Sequence, residues 1–377
     1  MMLNTPTSMV RRSLCGDFTI CPVLNGLWQV SGGHGKIDLS KALSEMREYA
    51  KEGYTTFDGA DIYGPAEDLM GAFVERYPDQ PVEMFTKWVP RPGPMTRQVV
   101  EENINNALER MKTTQLDLLQ FHWWDYDDER YLDAIKHLKD LQHEGKIRFL
   151  GLTNFDTEHM AKIVNSSIPI VSNQVSFSLI DTRPEQKMIP FCQQHNIKLL
   201  CYGTLLGGFL SEKYVNVSSE PTSKRELNTI SLRKYKRFID EWGGWTLFQQ
   251  LTNAQWFGLV VVLVDTTFPW YKQQGISGTF FGALHSLPFL FSQLLSVLKE
   301  VADKHEVSIS NVAARWVLDK PMVGGIIIGT RLSLSQHRAE NQKIFSFELD
   351  EKDHQKINSV LSQGNTLAGD CGDEYRD

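Results

Sequence analysis

Four residues with reactive side chains follow short apolar runs in this chain: Asp58, Tyr63, Lys87 and His122. A phenol is a poor acid at neutral pH, with a reference pKa of about 10. A nearby ammonium group favours the phenolate and lowers that pKa, and a carboxylate beside the ammonium keeps it charged and oriented. A histidine close to the phenol can hydrogen-bond a substrate oxygen. The set is suited to general acid catalysis on a polarised carbonyl, with hydride from a cofactor because no side chain supplies it.

The first of these residues lies in the segment TTFDGADIYG (55–64), which begins like a buried strand and ends like a loop. Taken alone, this segment is typical of a solvated turn, because Asp and Gly favour turns for local reasons. Lys87 alone is typical of a surface lysine, and His122 of a histidine at a sheet edge. The four side chains can act together only if the fold gathers them.

Short apolar runs alternate with longer amphipathic segments along the chain. Helical spacing marks segments 39–53, 96–112 and 128–146, and Gly53 and Gly145 stand where left-handed C-caps are expected. The eight apolar runs, each predicted to be a strand, are 25–30, 54–57, 82–88, 116–121, 147–152, 170–175, 197–202 and 323–330. This alternation predicts an α/β fold, a TIM (β/α)8 barrel. An open doubly wound sheet is disfavoured, because no G-x-G-x-x-G follows any strand.

A barrel of this kind carries its chemistry at the C-terminal ends of the strands. Asp58 and Tyr63 follow the second predicted strand, Lys87 ends the third and His122 ends the fourth. The other residues at the same predicted rim, most of them polar or aromatic, are Thr153, Asn154, Gln174, Tyr202, Gly329, Thr330 and Arg331. So many such residues at one rim predict an active site there. Asp61 is predicted to be a loop residue that faces solvent.

Composition excludes several classes of partner. The formal net charge is −7 and the pI about 5.8, which gives no electrostatic reason to expect nucleic acid or an anionic membrane. The five cysteines show no CxxC pair or metal-ligand spacing, so a reduced compartment and no metal are predicted. The first residues lack a secretory signal and have slight transit-peptide character. We therefore predict the cytoplasm, with an organelle as the alternative.

Seven segments, in order and spacing, resemble the aldo-keto reductase family. They are FDGADIYG, FTKW, LDLLQFHWWD, GKIRFLGLTNFD, SNQVSFSLID, CYGTLLGGFLSEKY and GTRLSLSQHRAENQKIF. The resemblance runs from about residue 20 to 355, which predicts a single domain over 1–377 with its core in that range. It implies that Asp58, Tyr63, Lys87 and His122 are the catalytic tetrad, with Tyr63 the proton donor.

The resemblance also implies a nicotinamide cofactor across the C-terminal rim. Thr153, Asn154 and Gln174 match residues that hold the carboxamide, Tyr202 matches the aromatic under the nicotinamide ring, and Trp28 lies where the first strand meets the cofactor. The remaining matches, along the pyrophosphate and at the adenosine end, are Leu205, Gly207, Ser211, Lys213, Gly329, Thr330, Arg331, Glu340 and Asn341.

Two features bear on the choice of ligands. Arg331 and Arg338 can each pair with a 2′-phosphate, which favours NADP(H) over NAD(H), although NAD(H) stays possible. Gly203 and Thr204 replace the family's usual Ser-Pro, which puts the pyrophosphate loop in question. The expected substrate is a small carbonyl compound or alcohol, in a pocket predicted to be lined by Trp88, Trp123, Trp124 and Tyr126.

Residues about 250–292 break the pattern. They have neither helical nor strand period and would expose an aggregation-prone apolar surface. A bilayer span is disfavoured, because Asp265 interrupts the apolar run WFGLVVVLV after nine residues. The segment is either a lid or membrane-docking loop, or a translated intron; we favour the intron, because LPFLFSQ (287–293) is what a pyrimidine-rich tract ending in CAG would encode. The polar tail after the last helix is predicted to be solvated, since chain ends are usually loose.

Two other functions are compatible with these residues. One is a cofactor-binding regulatory subunit with little turnover, as in the aldo-keto-like β subunits of potassium channels. The other is a barrel hydrolase with a metal held by Asp58, Asp61 and His122. Turnover by the purified protein separates the first from a reductase, and sensitivity to chelators separates the second.

Overall fold

Eight parallel strands close into a barrel, in the spatial order of the chain, with the last strand beside the first. The computed structural model describes residues 10–32, 37–215, 217, 220–245, 290–333 and 337–376. The barrel strands are β3 (Val23–Gly26), β4 (Thr56–Asp58), β5 (Glu83–Trp88), β6 (Leu116–Phe121), β7 (Ile147–Thr153), β8 (Ile170–Ser176), β9 (Lys198–Tyr202) and β10 (Val323–Gly329). The predicted TIM barrel and its single domain are confirmed.

Helices surround the barrel and alternate with its strands. They are α1 (Leu39–Lys51), α2 (Ala66–Arg76), α3 (Arg97–Arg110), α4 (Tyr131–His143), α5 (Thr157–Asn165), α6 (Met188–His195), α7 (Ile230–Trp242), α8 (Leu290–His305), α9 (Ile309–Leu318), α10 (Arg338–Gln342) and α11 (Glu351–Leu361). Side chains of Asp38, Thr96 and Asp156 accept hydrogen bonds from the first turns of α1, α3 and α5, which fixes where those helices begin. Gly53 and Gly145 have φ of 94° and 83°, as their predicted C-cap positions require.

An antiparallel hairpin, absent from the sequence prediction, packs against one end of the barrel. It consists of β1 (Arg12–Cys15) and β2 (Phe18–Ile20). Leu14, Phe18 and Ile20 of the hairpin form an apolar cluster with interior barrel residues such as Phe85 and Leu118. These barrel residues lie near the strand starts, so the hairpin covers the N-terminal end and leaves the C-terminal rim for chemistry.

The first barrel strand was predicted at 25–30, and this prediction is wrong. The strand is β3, Val23–Gly26, and residues Trp28–Ser31 form a 3-10 turn. The amide of Leu27 donates to the carbonyl of Asp58 at 2.9 Å, and the Gly26 carbonyl accepts from Thr330. The chain therefore leaves the sheet after Gly26 and turns across the rim.

Most of the predicted insertion, residues 250–289, lies outside the described residues. Among the residues that are described, no helix is long and apolar enough to cross a membrane. The described residues on either side of the gap are in contact: the amide of Phe291 donates to the carbonyl of Gly244 at 3.4 Å, and the rings of Trp245 and Phe291 are 5.0 Å apart. The chain thus leaves and re-enters the described fold at one point.

We expect a variant lacking residues 251–293 to keep the fold. The deletion joins LFQQ (247–250) directly to Leu294, and LFQQ repeats the pattern of LFSQ at 290–293, where Leu290 and Phe291 are buried. Phe248 would then stand four residues after Gly244, the spacing of an α-helical hydrogen bond. An unchanged or higher thermal midpoint is the expected result. A fall in the midpoint would show that the segment is a genuine part of the fold and not a translated intron.

Candidate active site

Asp58 and Lys87 form a buried ion pair inside the barrel. The Lys87 Nζ lies 2.6 Å from Asp58 Oδ2 and also donates to the Gly59 carbonyl at 2.8 Å. The second carboxylate oxygen of Asp58 accepts from the side-chain amides of Gln120 and Gln174, at 2.8 and 2.9 Å. Burial lowers the pKa of Lys87, and the charge of Asp58 opposes that effect. Neighbouring strands β4 and β5 bring these two side chains together, as their register requires.

Tyr63 lies above this pair, in the loop after β4. Its ring centroid is 4.8 Å from Lys87 Nζ and 4.9 Å from the Trp28 ring, which meets it edge-on. Burial, and then the charge of Asp58, raise the pKa of Tyr63 well above its ordinary value. The expectation of a lowered pKa is therefore wrong, because burial and the charge of Asp58 outweigh the effect of the nearby ammonium. The phenol stays protonated at neutral pH, the form that a proton donor needs.

His122 follows β6 at the same rim. Its Nδ1 is 3.1 Å from the carbonyl oxygen of Thr153, and its ring stands at 89° to the ring of Trp124, with centroids 4.5 Å apart. A carbonyl only accepts, so Nδ1 carries the hydrogen and Nε2 presents a lone pair. Burial lowers the pKa of this imidazole to about 4, so it is neutral at neutral pH. In that form Nε2 accepts a hydrogen bond from a hydroxyl group.

The burial of His122 predicts a loss of stability in acid. The unfolded chain takes up this proton near the ordinary pKa of 6.5, before the folded protein does near 4. The contribution is therefore complete above about pH 6.5 and falls, by on the order of 3 kcal/mol, as the pH drops toward 4. Urea unfolding across this range should show a shallower acid decline for His122→Gln than for the wild type. Equal declines would contradict the assignment.

Comparing His122→Gln with the wild type also cancels the effect of a second group, Asp61, that titrates in the same pH range. Burial raises the pKa of Asp61 to about 6, so its destabilising ionisation develops as the pH rises through that value. Asp61 is present in both proteins, and its effect cancels in the difference. Asp61 was predicted to face solvent, and this is wrong: its Oδ2 accepts from the Val89 amide at 3.0 Å, and its Oδ1 is buried and has no hydrogen-bond partner among the described residues.

A cavity of about 350 Å³ opens above the tetrad. The predicted site residues that line it are Trp28, Asp58, Tyr63, Lys87, His122, Trp124, Thr153, Asn154, Gln174, Tyr202, Leu205, Gly207 and Gly329. Three residues predicted to line the substrate pocket lie elsewhere. Trp88 and Trp123 are core residues packed on Phe121, because neighbours of inward-facing Lys87 and His122 point outward, and Tyr126 stacks on His159.

The polar groups around the cavity fit a nicotinamide carboxamide. Asn154 Oδ1 accepts from the Tyr202 hydroxyl at 2.7 Å, which leaves the Asn154 amide nitrogen without a partner among the described residues. The amide nitrogen of Gln174 donates to Asp58 and Gln120. Its amide oxygen has no protein partner among the described residues. One free donor and one free acceptor at the same rim match the carbonyl and amino groups of a carboxamide. Thr153 packs below them, with its hydroxyl 3.3 Å from the Gln174 carbonyl.

The loop after β9 also fits a polar ligand. Gly203 and Gly207 have φ of 76° and 66°, and a Cβ on Gly203 would lie 2.6 Å from the Tyr235 hydroxyl. Glycine at 203 is thus required where the family pattern has Ser. The side-chain oxygens of Thr204 and Gln29 are buried, have no hydrogen-bond partner within the described ranges, and belong to residues that line the cavity. A polar ligand in the cavity would satisfy them.

The other residues matched to the pyrophosphate and adenosine end do not line the cavity. Ser211 donates to the Gly208 carbonyl, and Lys213 is exposed beside the Tyr214 hydroxyl. Thr330 is buried against the Gly26 carbonyl, and Arg331 is exposed. Glu340 and Asn341 lie in the short helix α10.

Arg338, the other candidate for a 2′-phosphate, is partly engaged. Its Nε donates to Glu52 at 2.8 Å, and its guanidinium stacks 5.2 Å from the Tyr49 ring centroid. Its Nη1 is buried and has no hydrogen-bond partner in the part of the chain that the structure describes. One donor of this side chain is therefore available to a ligand.

The sequence analysis missed Gln120, which hydrogen-bonds Asp58, and several residues that line the cavity. Gln120 was detectable, because strand alternation puts it on the same face as His122. Gln29, Lys234, Tyr235 and Tyr375 carry no comparable signal, since their positions depend on contacts between segments distant in sequence. The tail that contains Tyr375 was predicted to be solvated, and this is wrong: Leu367 and Cys371 are buried, and the tail packs on the rim.

A metal centre is not apparent in the described ranges. No group of three or more His, Cys, Asp and Glu side chains there is arranged to hold an ion. Of the three proposed ligands, Asp58 is committed to Lys87, Gln120 and Gln174, and His122 to the Thr153 carbonyl through Nδ1.

Comparison with known proteins assigns this architecture to one group. Residues 22–362 match the model of the Aldo/keto reductase family. The chain is 25% identical over 363 residues to the aldo-keto reductase YhdN of Bacillus subtilis, covering 93% of this chain and 92% of that protein. It is 24% identical to the NADH-specific methylglyoxal reductase of Escherichia coli over 220 residues, which cover 52% of this chain and 67% of that protein. The solved structure of the glycerol dehydrogenase AKR11B4 from Gluconobacter oxydans superposes with a TM-score of 0.67 and 18% identity, covering 97% of this chain and 98% of that one.

Proposed function

The chain belongs to the aldo/keto reductase family, and we propose that it reduces an aldehyde or ketone to an alcohol with NADPH, or catalyses the reverse oxidation of an alcohol or sugar. One observation carries the proposal: Tyr63, the Lys87–Asp58 pair and His122 face one cavity that is also lined by Asn154 and Gln174, whose amide nitrogen and amide oxygen, respectively, have no partner among the described residues. The nicotinamide, when bound, supplies the hydride.

Each polar group has a distinct part in this chemistry. Tyr63, kept neutral by burial, donates its proton to the carbonyl oxygen as negative charge develops there. Lys87, held by Asp58 and facing the Tyr63 ring, stabilises the phenolate that remains. His122 Nε2 accepts a hydrogen bond from the hydroxyl group of the alcohol. This contact orients the alcohol oxygen between the side chains of Tyr63 and His122.

The choice of NADPH over NADH rests on the adenosine end. The unpartnered Nη1 of Arg338 and the exposed guanidinium of Arg331 supply positive charge there, and arginine suits phosphate. Affinities for NADPH and NADH test this preference, because loss of the 2′-phosphate removes the contact. Equal affinities would contradict it.

The mouth of the cavity favours a substrate with an apolar part. Ile62, Trp124 and Ile230 line the cavity and are 49%, 38% and 47% exposed, although large apolar side chains gain free energy from burial. An alkyl or aromatic group beside the carbonyl would cover them. Hexanal and benzaldehyde are thus expected to be better substrates than glyceraldehyde.

Purified protein tests the proposed function directly. NADPH binding is followed by fluorescence, and NADPH oxidation is then measured with each of these aldehydes. Alcohol formed in proportion to NADPH consumed, with no loss on adding a chelator, is the expected result. Binding without turnover with any aldehyde would favour the regulatory subunit. Loss of NADPH oxidation on adding the chelator would contradict a reductase that needs no metal, and chelator-sensitive hydrolysis without NADPH oxidation would favour the metal hydrolase.

A further inference from the structure

The last described residues of the chain are tied to the rim of the barrel by buried charges. Here residues 370–376 are called the C-terminal clasp. Arg183, after β8, donates to the Asp370 carbonyl at 3.0 Å and to the Glu374 carboxylate at 3.1 Å. Lys234, on α7, donates to the other oxygen of Glu374 at 3.1 Å. Because buried charges are costly unless paired, these contacts favour a single arrangement of the clasp.

The backbone of the clasp packs directly on Asn154. Gly372 has φ of 93°, and a Cβ there would lie 2.4 Å from the Asn154 carbonyl oxygen and 2.8 Å from its Cβ. Arg376 donates to the same carbonyl oxygen at 2.6 Å and to that of Trp123 at 3.1 Å. Asn154 itself has φ of 58°, a conformation that most residues avoid and that surrounding contacts must hold.

A second set of contacts leads from the clasp to the Asn154 side chain. Lys234 Nζ donates to the Tyr375 hydroxyl at 2.5 Å and lies 5.1 Å from the ring centroid of Tyr202. The Tyr202 hydroxyl donates to Asn154 Oδ1 at 2.7 Å. Lys234, Tyr375, Tyr202 and Asn154 all line the catalytic cavity. The backbone of the clasp thus contacts Asn154 directly. Tyr375 of the clasp is also connected to the Asn154 side chain through Lys234 and Tyr202.

We infer that the C-terminal clasp is a positioning element for the nicotinamide end of the cofactor site, because it fixes the amide of Asn154 and the ring of Tyr202. The inference rests on the proposed function, in which these two residues hold the carboxamide and the nicotinamide ring. Arg376 and Gly372 act through Asn154 and do not touch the cofactor. The clasp has no contact with the adenosine end among the described residues, so its effect should be confined to the nicotinamide half.

The test compares two ligands, NADPH and 2′-phospho-ADP-ribose, which lacks the nicotinamide. Calorimetry measures both dissociation constants for the wild type, Arg376→Met and Gly372→Ala. Loss of a charge-assisted hydrogen bond, or a clash at Gly372, should weaken NADPH binding about tenfold or more. Binding of 2′-phospho-ADP-ribose should stay within about twofold of the wild type. Arg376→Lys, which keeps one donor, should recover part of the NADPH affinity.

Arg148→Met is the matched control. Arg148 stacks 4.5 Å from the Phe18 ring at the N-terminal end of the barrel, as Arg376 stacks 3.9 Å from the Tyr126 ring at the rim. The Arg148→Met variant should leave the affinities for NADPH and 2′-phospho-ADP-ribose unchanged. The inference would be overturned if Arg376→Met and Gly372→Ala weakened the binding of both ligands equally. Unchanged NADPH affinity in these two variants would also overturn it. A wild type that binds neither ligand would contradict the proposed function itself, and the inference with it.

Discussion

A Tyr63→Phe variant is expected to lose about a thousandfold in kcat for carbonyl reduction, within the range typical of a general acid. The substitution removes only the hydroxyl group. The phenylalanine ring keeps the contacts with Trp28 and Lys87, at 4.9 and 4.8 Å, so the fold and the cavity should be unchanged. Because the pKa of Tyr63 is well above its ordinary value, the wild type should keep its proton donor through the neutral range.

Steady-state kinetics and NADPH binding together measure this effect. The expected variant binds NADPH as the wild type does and fails only in turnover. Tyr77→Phe is a suitable control, because Tyr77 lies after α2, with its ring against Arg47, and does not line the cavity. A Tyr63→Phe enzyme that keeps more than a tenth of wild-type kcat would show that another group delivers the proton.

A Lys87→Met variant is expected to lose both activity and stability. Without the ammonium, the phenolate of Tyr63 has no facing cation, and kcat should fall by about 10²- to 10⁴-fold. Asp58 would also keep a buried negative charge with only Gln120 and Gln174 as donors. Removing one partner of a buried ion pair costs about 3–5 kcal/mol of unfolding free energy. Urea unfolding and NADPH oxidation measure the two losses.

The double variant Lys87→Met, Asp58→Asn separates these two effects. Asparagine removes the unpaired charge, so most of the unfolding free energy should return. Activity should not return, because the ammonium beside Tyr63 is still absent. Recovery of turnover in the double variant would mean that the lysine has a structural role only.

The barrel and its reactive rim were predictable because the signals that encode them are local. Alternating apolar runs specify each strand, and parallel strands put their C-terminal ends on one side, so Asp58, Lys87 and His122 had to meet. The glycine caps at 53 and 145 follow from local backbone geometry in the same way. Strand alternation could also have excluded Trp88 and Trp123 from the cavity, since each follows an inward-facing residue, Lys87 or His122.

The rest depends on contacts between distant segments. The clasp is polar in sequence, and its burial follows only from pairing with Arg183 and Lys234, roughly 140 to 190 positions earlier. The high pKa of Tyr63 likewise depends on how completely the fold buries the phenol and on its distance from Asp58, which the residue types do not specify. The hairpin β1–β2 is too short to be distinguished from a polar leader by its pattern, and its stability comes from the barrel end that it covers.

Isotope labelling tests most directly whether the protein transfers hydride from NADPH to a carbonyl carbon. Wild-type protein is incubated with an aldehyde and NADPH deuterated at the transferable C4 position of the nicotinamide, and the alcohol is analysed by mass spectrometry. We expect one deuterium on the former carbonyl carbon of the alcohol, with the hydroxyl proton coming from Tyr63 and solvent. No alcohol from any aldehyde despite bound NADPH, or alcohol without the deuterium, would contradict it.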